Sequence, residues 1–413
     1  MTNYIILALC LMILLAYLFD ITSRYSKIPG VILLIGLGIA LRLLVNHTGF
    51  EIPDIEPLLP VIGTLGLILI VMEASMDLKL GKNKVGIIFK SASAAIILFA
   101  FFVAIMTVIL YKLLGFPLID SLLNAVPFGI ISSAVAIPSA INLNREQKEF
   151  VVYESSLSDI VGILVFDFIL IYQGSIGQGL INYGLNAILT IFVAIIVTSA
   201  LAILLHKITY HINYIIILTS VVLVYALAKM IHLPALLLVL AFGIALANYK
   251  LVQNSVIKRY VDFNKFGNDL VSFKKILTEL TFVVRSFFFI MFGFYTKIEG
   301  VLNYHNIFTA LAIIVGIYLL RIIFLWKFLK IPIFPFLFLS PRGLITILLF
   351  LSIPVTLRLE PINEEVVTLV ILLSIFLMMI GNILYKDENI AAEESDIDII
   401  IHEESIFDET GDG

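Results

Sequence analysis

Ser132-Ser133-Ala134-Val135-Ala136-Ile137-Pro138 interrupts an apolar run that extends over residues 119–142. Hydroxyls and a proline in the middle of such a stretch compete with, or remove, the i to i−4 hydrogen bonds of a helix and leave backbone groups unpaired. A second stretch, Ser340-Pro341-Arg342-Gly343, does the same inside the run 331–354. The two breaks lie seven apolar runs apart. Runs one to six and eight to thirteen are therefore expected to form two repeats of opposite orientation, with run seven as a linker. Interrupted helices in matching positions of two halves mark a binding site near membrane mid-depth, because unpaired backbone is tolerated there only around a polar cavity.

The rest of the chain fits a membrane setting. Of 413 residues, 61% are hydrophobic and 14% charged, and the mean hydropathy is +1.11. A soluble domain needs a more polar surface than that. Thirteen runs of membrane-spanning length are expected, at 3–20, 28–45, 58–76, 85–112, 119–142, 150–173, 184–206, 212–229, 233–249, 278–297, 304–326, 331–354 and 363–385. The fold class is an all-α membrane protein of about thirteen transmembrane helices. The first run lacks a basic flank and a cleavage site, so it is expected to be retained. Cys10 is the single cysteine, which excludes a disulfide framework. The balance of charge suggests no nucleic-acid partner. With the N-terminus outside, 17 of the 26 Lys and Arg residues fall in inside loops, 5 at outside ends and 4 within runs. That asymmetry predicts an N-out, C-in topology. The basic loop 250–277 is expected to be partly helical, and the acidic tail 386–413 an extension beyond the membrane part.

Ionisable residues deep in such runs are costly and are functional candidates. Run six carries Glu154, Asp159 and Asp167; Arg285, Arg321 and Arg342 lie in runs ten, eleven and twelve, and Glu73 in run three. Glu154 and Arg321 lie one to two turns from the same membrane face, so each can cancel the burial cost of the other. Asp159, near mid-depth, is left without an obvious permanent partner. Burial disfavours the ionised form of a carboxylate, so such a group can hold a proton, and when ionised it is a hard oxygen ligand for an alkali cation. One group that binds either a proton or a cation is the minimum machinery for exchange. Ser155, four residues before Asp159 on the same helical face, is expected to complete an oxygen cage with Ser132, Ser133 and carbonyls of the broken helix. Arg342 would balance charge beside the second break. Asp167 lies either on the outward pathway or against a surface neighbour. Glu73, Asp77 and Lys79 read as a structural cluster, and Arg285 as a snorkelling side chain. The six histidines have no metal-ligand spacing, so the expected ion is a monovalent cation, with no transition metal and no cofactor.

Glu154-Ser155-Ser156-Leu157-Ser158-Asp159-Ile160-Val161-Gly162 resembles the signature of the sodium/proton exchanger branch of the monovalent cation:proton antiporter superfamily. Arg321 in Tyr318-Leu319-Leu320-Arg321, Ser340-Pro341-Arg342-Gly343-Leu344, Lys27-Ile28-Pro29-Gly30, Gly66 through Asp77 and Phe287 through Gly293 are further points of similarity, so that the resemblance spans residues 1–385. It implies Asp159 as the ion- and proton-binding carboxylate, Ser155 as an ion ligand and Glu154 as the partner of Arg321. Ser132-Ser133-Ala134 departs from the acidic Thr-Asp-Pro of that branch and resembles the potassium-efflux branch instead, while Ser158 replaces the usual asparagine. A site with fewer fixed carboxylates weakens small, strongly hydrated ions most, which leaves Na+ and K+ both open.

The resemblance further implies two crossed discontinuous helices, a core at about 85–173 and 304–385, scaffold and dimer helices at about 3–76 and 212–297, and a homodimer. The expected protein is a secondary transporter of the plasma or inner cell membrane that exchanges Na+ or K+, and possibly Li+, for H+ by alternating access, in the service of pH homeostasis. An enzyme is not expected. A proton-uncoupled channel or uniporter would move cations without a pH change, and a sensor on a transporter fold would depend on its tail rather than on Asp159.

Overall fold

The computed structural model describes residues 2–26, 29–48, 59–78, 85–140, 143–171, 184–194, 196–197, 213–230, 233–248 and 263–385. Every regular element among them is helical. The first three helices, α1 (Thr2–Ser26), α2 (Gly30–Thr48) and α3 (Leu59–Asp77), precede α4 (Val85–Val108), which closes in a π-helical turn at Ile109–Leu113. The first interrupted run forms α5 (Leu118–Gly129) and α6 (Ser133–Ser139), and α7 (Arg145–Ile171) carries the three acids. Next come α8 (Gly184–Ala194), α9 (Asn213–Met230), α10 (Ala235–Ala247) and α11 (Phe263–Tyr295). The last part holds α12 (Ile298–Val301), α13 (Tyr304–Phe324) with a π-helical turn at Leu325–Leu329, α14 (Leu344–Ser352) and α15 (Glu364–Leu384). Among the described residues, six helical segments have the length and composition to cross a membrane, and five shorter apolar helices accompany them.

Two sets of helices pack among themselves. α2 lies along α11, α3 packs on α10 and α11, and α9 joins α10. In the other set α4 packs on α5, α7 and α13, α6 on α7, α14 on α5, and α13 on α15. Contacts of α3 with α7 and α14, and of α10 with α7, join the sets. α4 and α13, the fourth and eleventh runs and so in matching positions of the two halves, each end in a five-residue π-helical irregularity, which is what two related repeats would produce.

The interruptions differ in kind. In the first, α5 stops at Gly129, residues 130–132 are extended or irregular, and α6 resumes at Ser133. In the second, only the later half is helical. Residues 331–343 pass through turns before the nine-residue α14 begins. Pro332, Pro335 and Pro341 fall within that segment, and each removes a backbone donor and clashes with a preceding turn. α11 starts at Phe263, so part of the basic loop continues helically into the membrane run. The remainder of that loop, the end of run seven beyond 197 and the tail 386–413 lie outside the described residues.

Candidate functional site

The two breaks touch. Ser132 N donates to the carbonyl of Pro341 at 2.9 Å, pairing a backbone donor of one interruption with an acceptor of the other. Gly343 makes the close passage possible. A Cβ there would press on the side chains of Ser132 and Val135. α7 runs against the first break in the same manner: a Cβ at Gly162 would overlap Ile130. The amide of Ile131 finds its acceptor in Ser158 Oγ at 2.9 Å. The amides of Ile131 and Ser132 in the interruption are thus satisfied by α7 and by the second break, as burial demands.

Asp159 follows directly and is 2% exposed. Its Oδ2 accepts from the amide of Ser133 at 3.2 Å and from the Ser133 hydroxyl. Its Oδ1 is buried without a hydrogen-bond partner. One oxygen is therefore fixed to the broken helix and the other is left for a proton or a ligand. Ser155 lies one turn back, but its hydroxyl donates to Val151 O at 2.7 Å within its own helix, so only its lone pairs face outward chemistry. The Ser132 side chain lies against Gly343.

Glu154 and Arg321 meet in a bidentate pair, with Nη1 to Oε1 and Nη2 to Oε2 both at 2.8 Å. Arg321 Nε also donates to Phe336 O at 2.7 Å, tying the pair to the irregular segment ahead of the second break. Arg342 takes carbonyls as partners. Its Nε donates to Phe128 O and its Nη1 to Ser340 O, both at 2.7 Å, and its amide donates to Ser374 Oγ on α15 at 2.9 Å. Phe128 belongs to the last turn of α5, whose carbonyls have no acceptor role within the helix and carry its negative dipole end. A guanidinium there supplies both hydrogen bonds and charge. A cavity of about 20 Å³, enough for one water, borders Ser158, Ser340, Arg321 and Arg342 beside α4.

The other candidates sit apart. Asp167, two turns beyond Asp159 on α7, lies near enough to Lys229 of α9 to feel its charge. Arg285 is half-buried on α11, and Glu73 is half-buried on α3. The side chain of Asp77 and all of Lys79 lie outside the described residues. Among the described residues there is no cluster of three or more His, Cys, Asp or Glu. Four participants were not singled out in the sequence: Ser158 as acceptor for a backbone amide, and Phe128, Phe336 and Ser374 as partners of the arginines. Only Ser158 left a trace there, as a departure from the usual asparagine next to the key acid.

Two crossing interruptions around one enclosed carboxylate, inside an all-helical membrane body, define the core of a secondary transporter. The chain belongs to the sodium/hydrogen exchanger family, whose transmembrane region matches residues 10–386. It is accordingly a multi-pass membrane protein that exchanges a cation for protons; the family is one of transporters rather than enzymes. The fold is similar to that of the sodium proton antiporter MjNhaP1 from Methanocaldococcus jannaschii. The structure of that protein at pH 8 superposes with a TM-score of 0.66 at 19% identity, over 91% of this chain and 95% of that one. A second structure of MjNhaP1, from electron microscopy, gives 0.64 at 17% identity over 93% and 95%. No curated protein matches the chain in sequence.

Proposed function

We propose that the protein exchanges one monovalent cation, Na+ or K+, for one proton at Asp159, by alternating access and without net charge movement. The observation that carries this is the asymmetric carboxylate: Oδ2 held by Ser133, Oδ1 buried and unpartnered. A single oxygen free for either ligand makes proton and cation mutually exclusive occupants. Glu154 and Arg321 cancel one another, which leaves Asp159 and Arg342 as the remaining buried charges of the crossing. A proton or a monovalent cation on Asp159 then gives the same net charge, so the two loaded forms cross the membrane equivalently. The similar fold of MjNhaP1, a sodium proton antiporter, supports the same reaction.

The set of helices built on α4–α7 and α13–α15 would move against the set built on α1–α3 and α9–α11. The latter would also form the interface of a homodimer. The charge asymmetry of the loops favours an N-terminus outside and a C-terminus in the cytoplasm of a plasma or inner membrane. No resident cofactor or transition metal is called for, and the acidic tail lies on the cytoplasmic side.

Dissipation of an acid-inside pH gradient in vesicles, on addition of Na+ or K+, tests the exchange for wild type and Asp159→Asn together. Collapse of the gradient in wild type alone is the expected result. A cation flux without a pH change would indicate a channel instead. A transport current in proteoliposomes that scales with imposed voltage would defeat the one-for-one stoichiometry.

A further inference from the structure

Asp167 is an acid of α7 to which exchange at Asp159 gives no task. It lies eight residues beyond Asp159, about 12 Å further along the helix axis and on an adjoining face. A carboxylate in an apolar helix is costly unless something offsets its charge. Here the offset comes from another helix, since Asp167 feels the charge of Lys229 in the last turn of α9. Tyr225, buried one turn before Lys229, lies within the field of the same carboxylate. Lys229 Nζ stands 6.0 Å from the centre of the Tyr225 ring, a distance at which an aromatic face still attracts a cation. Lys229 itself is exposed. Its ammonium therefore has two attractive neighbours, a carboxylate and a ring, and a way out to the surroundings.

The partners belong to different sets of helices. α7 carries Asp159, whereas α9 packs with α10, which also touches α7 and so joins the sets. Opposite charges inside one set would only hold that set together. Across the seam, their separation changes whenever the sets shift, and Asp167 then needs another positive charge. A monovalent cation carries the same charge as the ammonium it would replace. The loop charges direct both α7 and α9 from the cytoplasmic side outward, which puts Asp167 and Lys229 at the outer end of the seam. We propose that Asp167 is a second cation site, an outer stop where the transported cation and the Lys229 ammonium take turns while Tyr225 holds the displaced ammonium aside. The proposal rests on exchange at Asp159 and supplies the route to it. A cation arriving from outside displaces Lys229 and is then two turns of α7 from Asp159; a departing cation is released as Lys229 returns. One carboxylate with a tethered competitor binds weakly and exchanges fast, as a waypoint must.

The test compares right-side-out with inverted membrane vesicles, measuring the half-saturating Na+ or K+ concentration for exchange from each face. Its readout is the ratio of the outer to the cytoplasmic value. Asp167→Asn is expected to raise that ratio by about fivefold, the scale of a solvated charge interaction of about 1 kcal/mol. Lys229→Met removes the competitor and is expected to lower the ratio, while Lys229→Arg keeps the charge and should stay near wild type. The double variant Asp167→Asn/Lys229→Met should match Asp167→Asn alone, because Lys229 acts only through Asp167. A ratio unchanged in Asp167→Asn, in vesicles whose wild type exchanges, overturns the inference and leaves exchange standing. A ratio that moves the same way in both single variants, with unfolding temperature lost in each and regained in the double, marks a merely structural pair and also overturns it. Wild-type vesicles in which no cation dissipates a pH gradient remove exchange and this inference together.

Discussion

Glu154 on α7 and Arg321 on α13 are joined by two parallel hydrogen bonds of 2.8 Å, with side chains only 1% and 2% exposed. Such a pair is weak evidence for stability in itself, yet removing one partner strands a buried charge at about 3–5 kcal/mol. Arg321→Ala or Glu154→Gln is therefore expected to lower the unfolding temperature in detergent sharply. Arg321→Lys should not rescue it, because an ammonium lacks the fork that reaches both Glu154 oxygens and Phe336 O. The double variant Glu154→Gln/Arg321→Met, with neither charge left, is expected to be more stable than either single change. A strictly additive double-mutant cycle would refute the coupling.

Asp159→Asn is expected to abolish exchange while leaving the fold intact. The amide oxygen of asparagine can still accept from Ser133 in the place of Oδ2, so the crossing keeps its hydrogen bonds. Circular dichroism and unfolding temperature should match wild type as the gradient assay goes flat. In wild type, protons and cations compete for the same group. The half-saturating cation concentration should then rise as pH falls, with the maximal rate little changed. A pH effect confined to the maximal rate would place the titrating group elsewhere.

The fold and part of the site are legible because membrane burial constrains sequence strongly. Thirteen apolar runs, the two interruptions and the rarity of buried charge all follow from the cost of unpaired polar groups in hydrocarbon. Depth along α7 and α13 places Glu154 opposite Arg321, and there the side chains meet. Rotamers and long-range backbone partners are not legible in this way. Ser155 lies on the face of Asp159, yet its hydroxyl turns back to Val151 O. Arg342 reads as a charge to be balanced, but its partners are carbonyls, one of them 214 positions away in Phe128. The second interruption contains three prolines and gives turns where a half-helix was expected. Spacing reports which residues share a helix face, whereas these contacts depend on how separate elements cross.

Ser158 is expected to act on the shape of the first break. Its hydroxyl oxygen is the acceptor for the Ile131 amide at 2.9 Å. Ser158→Ala leaves that buried donor unpaired, at about 1–3 kcal/mol. The lost acceptor loosens residues 130–132, which lead directly into the Ser133 donors that hold Asp159. A raised half-saturating concentration for the transported cation, with a lowered unfolding temperature, is the expected pair of results. Transport kinetics identical to wild type would mean that α7 does not hold the break in its active shape.

Gly162 offers a test in which a lesion and its repair are both specified. It is where α7 passes the first break, and a Cβ added there would overlap the outer atoms of the Ile130 side chain. Ile130 is fully buried, so its side chain has little room to turn aside. Overpacking of this kind costs about 1–3 kcal/mol, and here the strain falls on the segment that connects α5 to α6. Gly162→Ala is expected to impair exchange more than stability, because a shift of Ile130 also moves Ile131 and the Ser133 donors away from Asp159. Trimming the obstacle should reverse this: Gly162→Ala/Ile130→Val, or the further step to Ile130→Ala, is expected to recover gradient dissipation that Gly162→Ala loses. If the double variants are no better than the single one, the close approach of these two residues is not what holds the carboxylate in register with the broken helix.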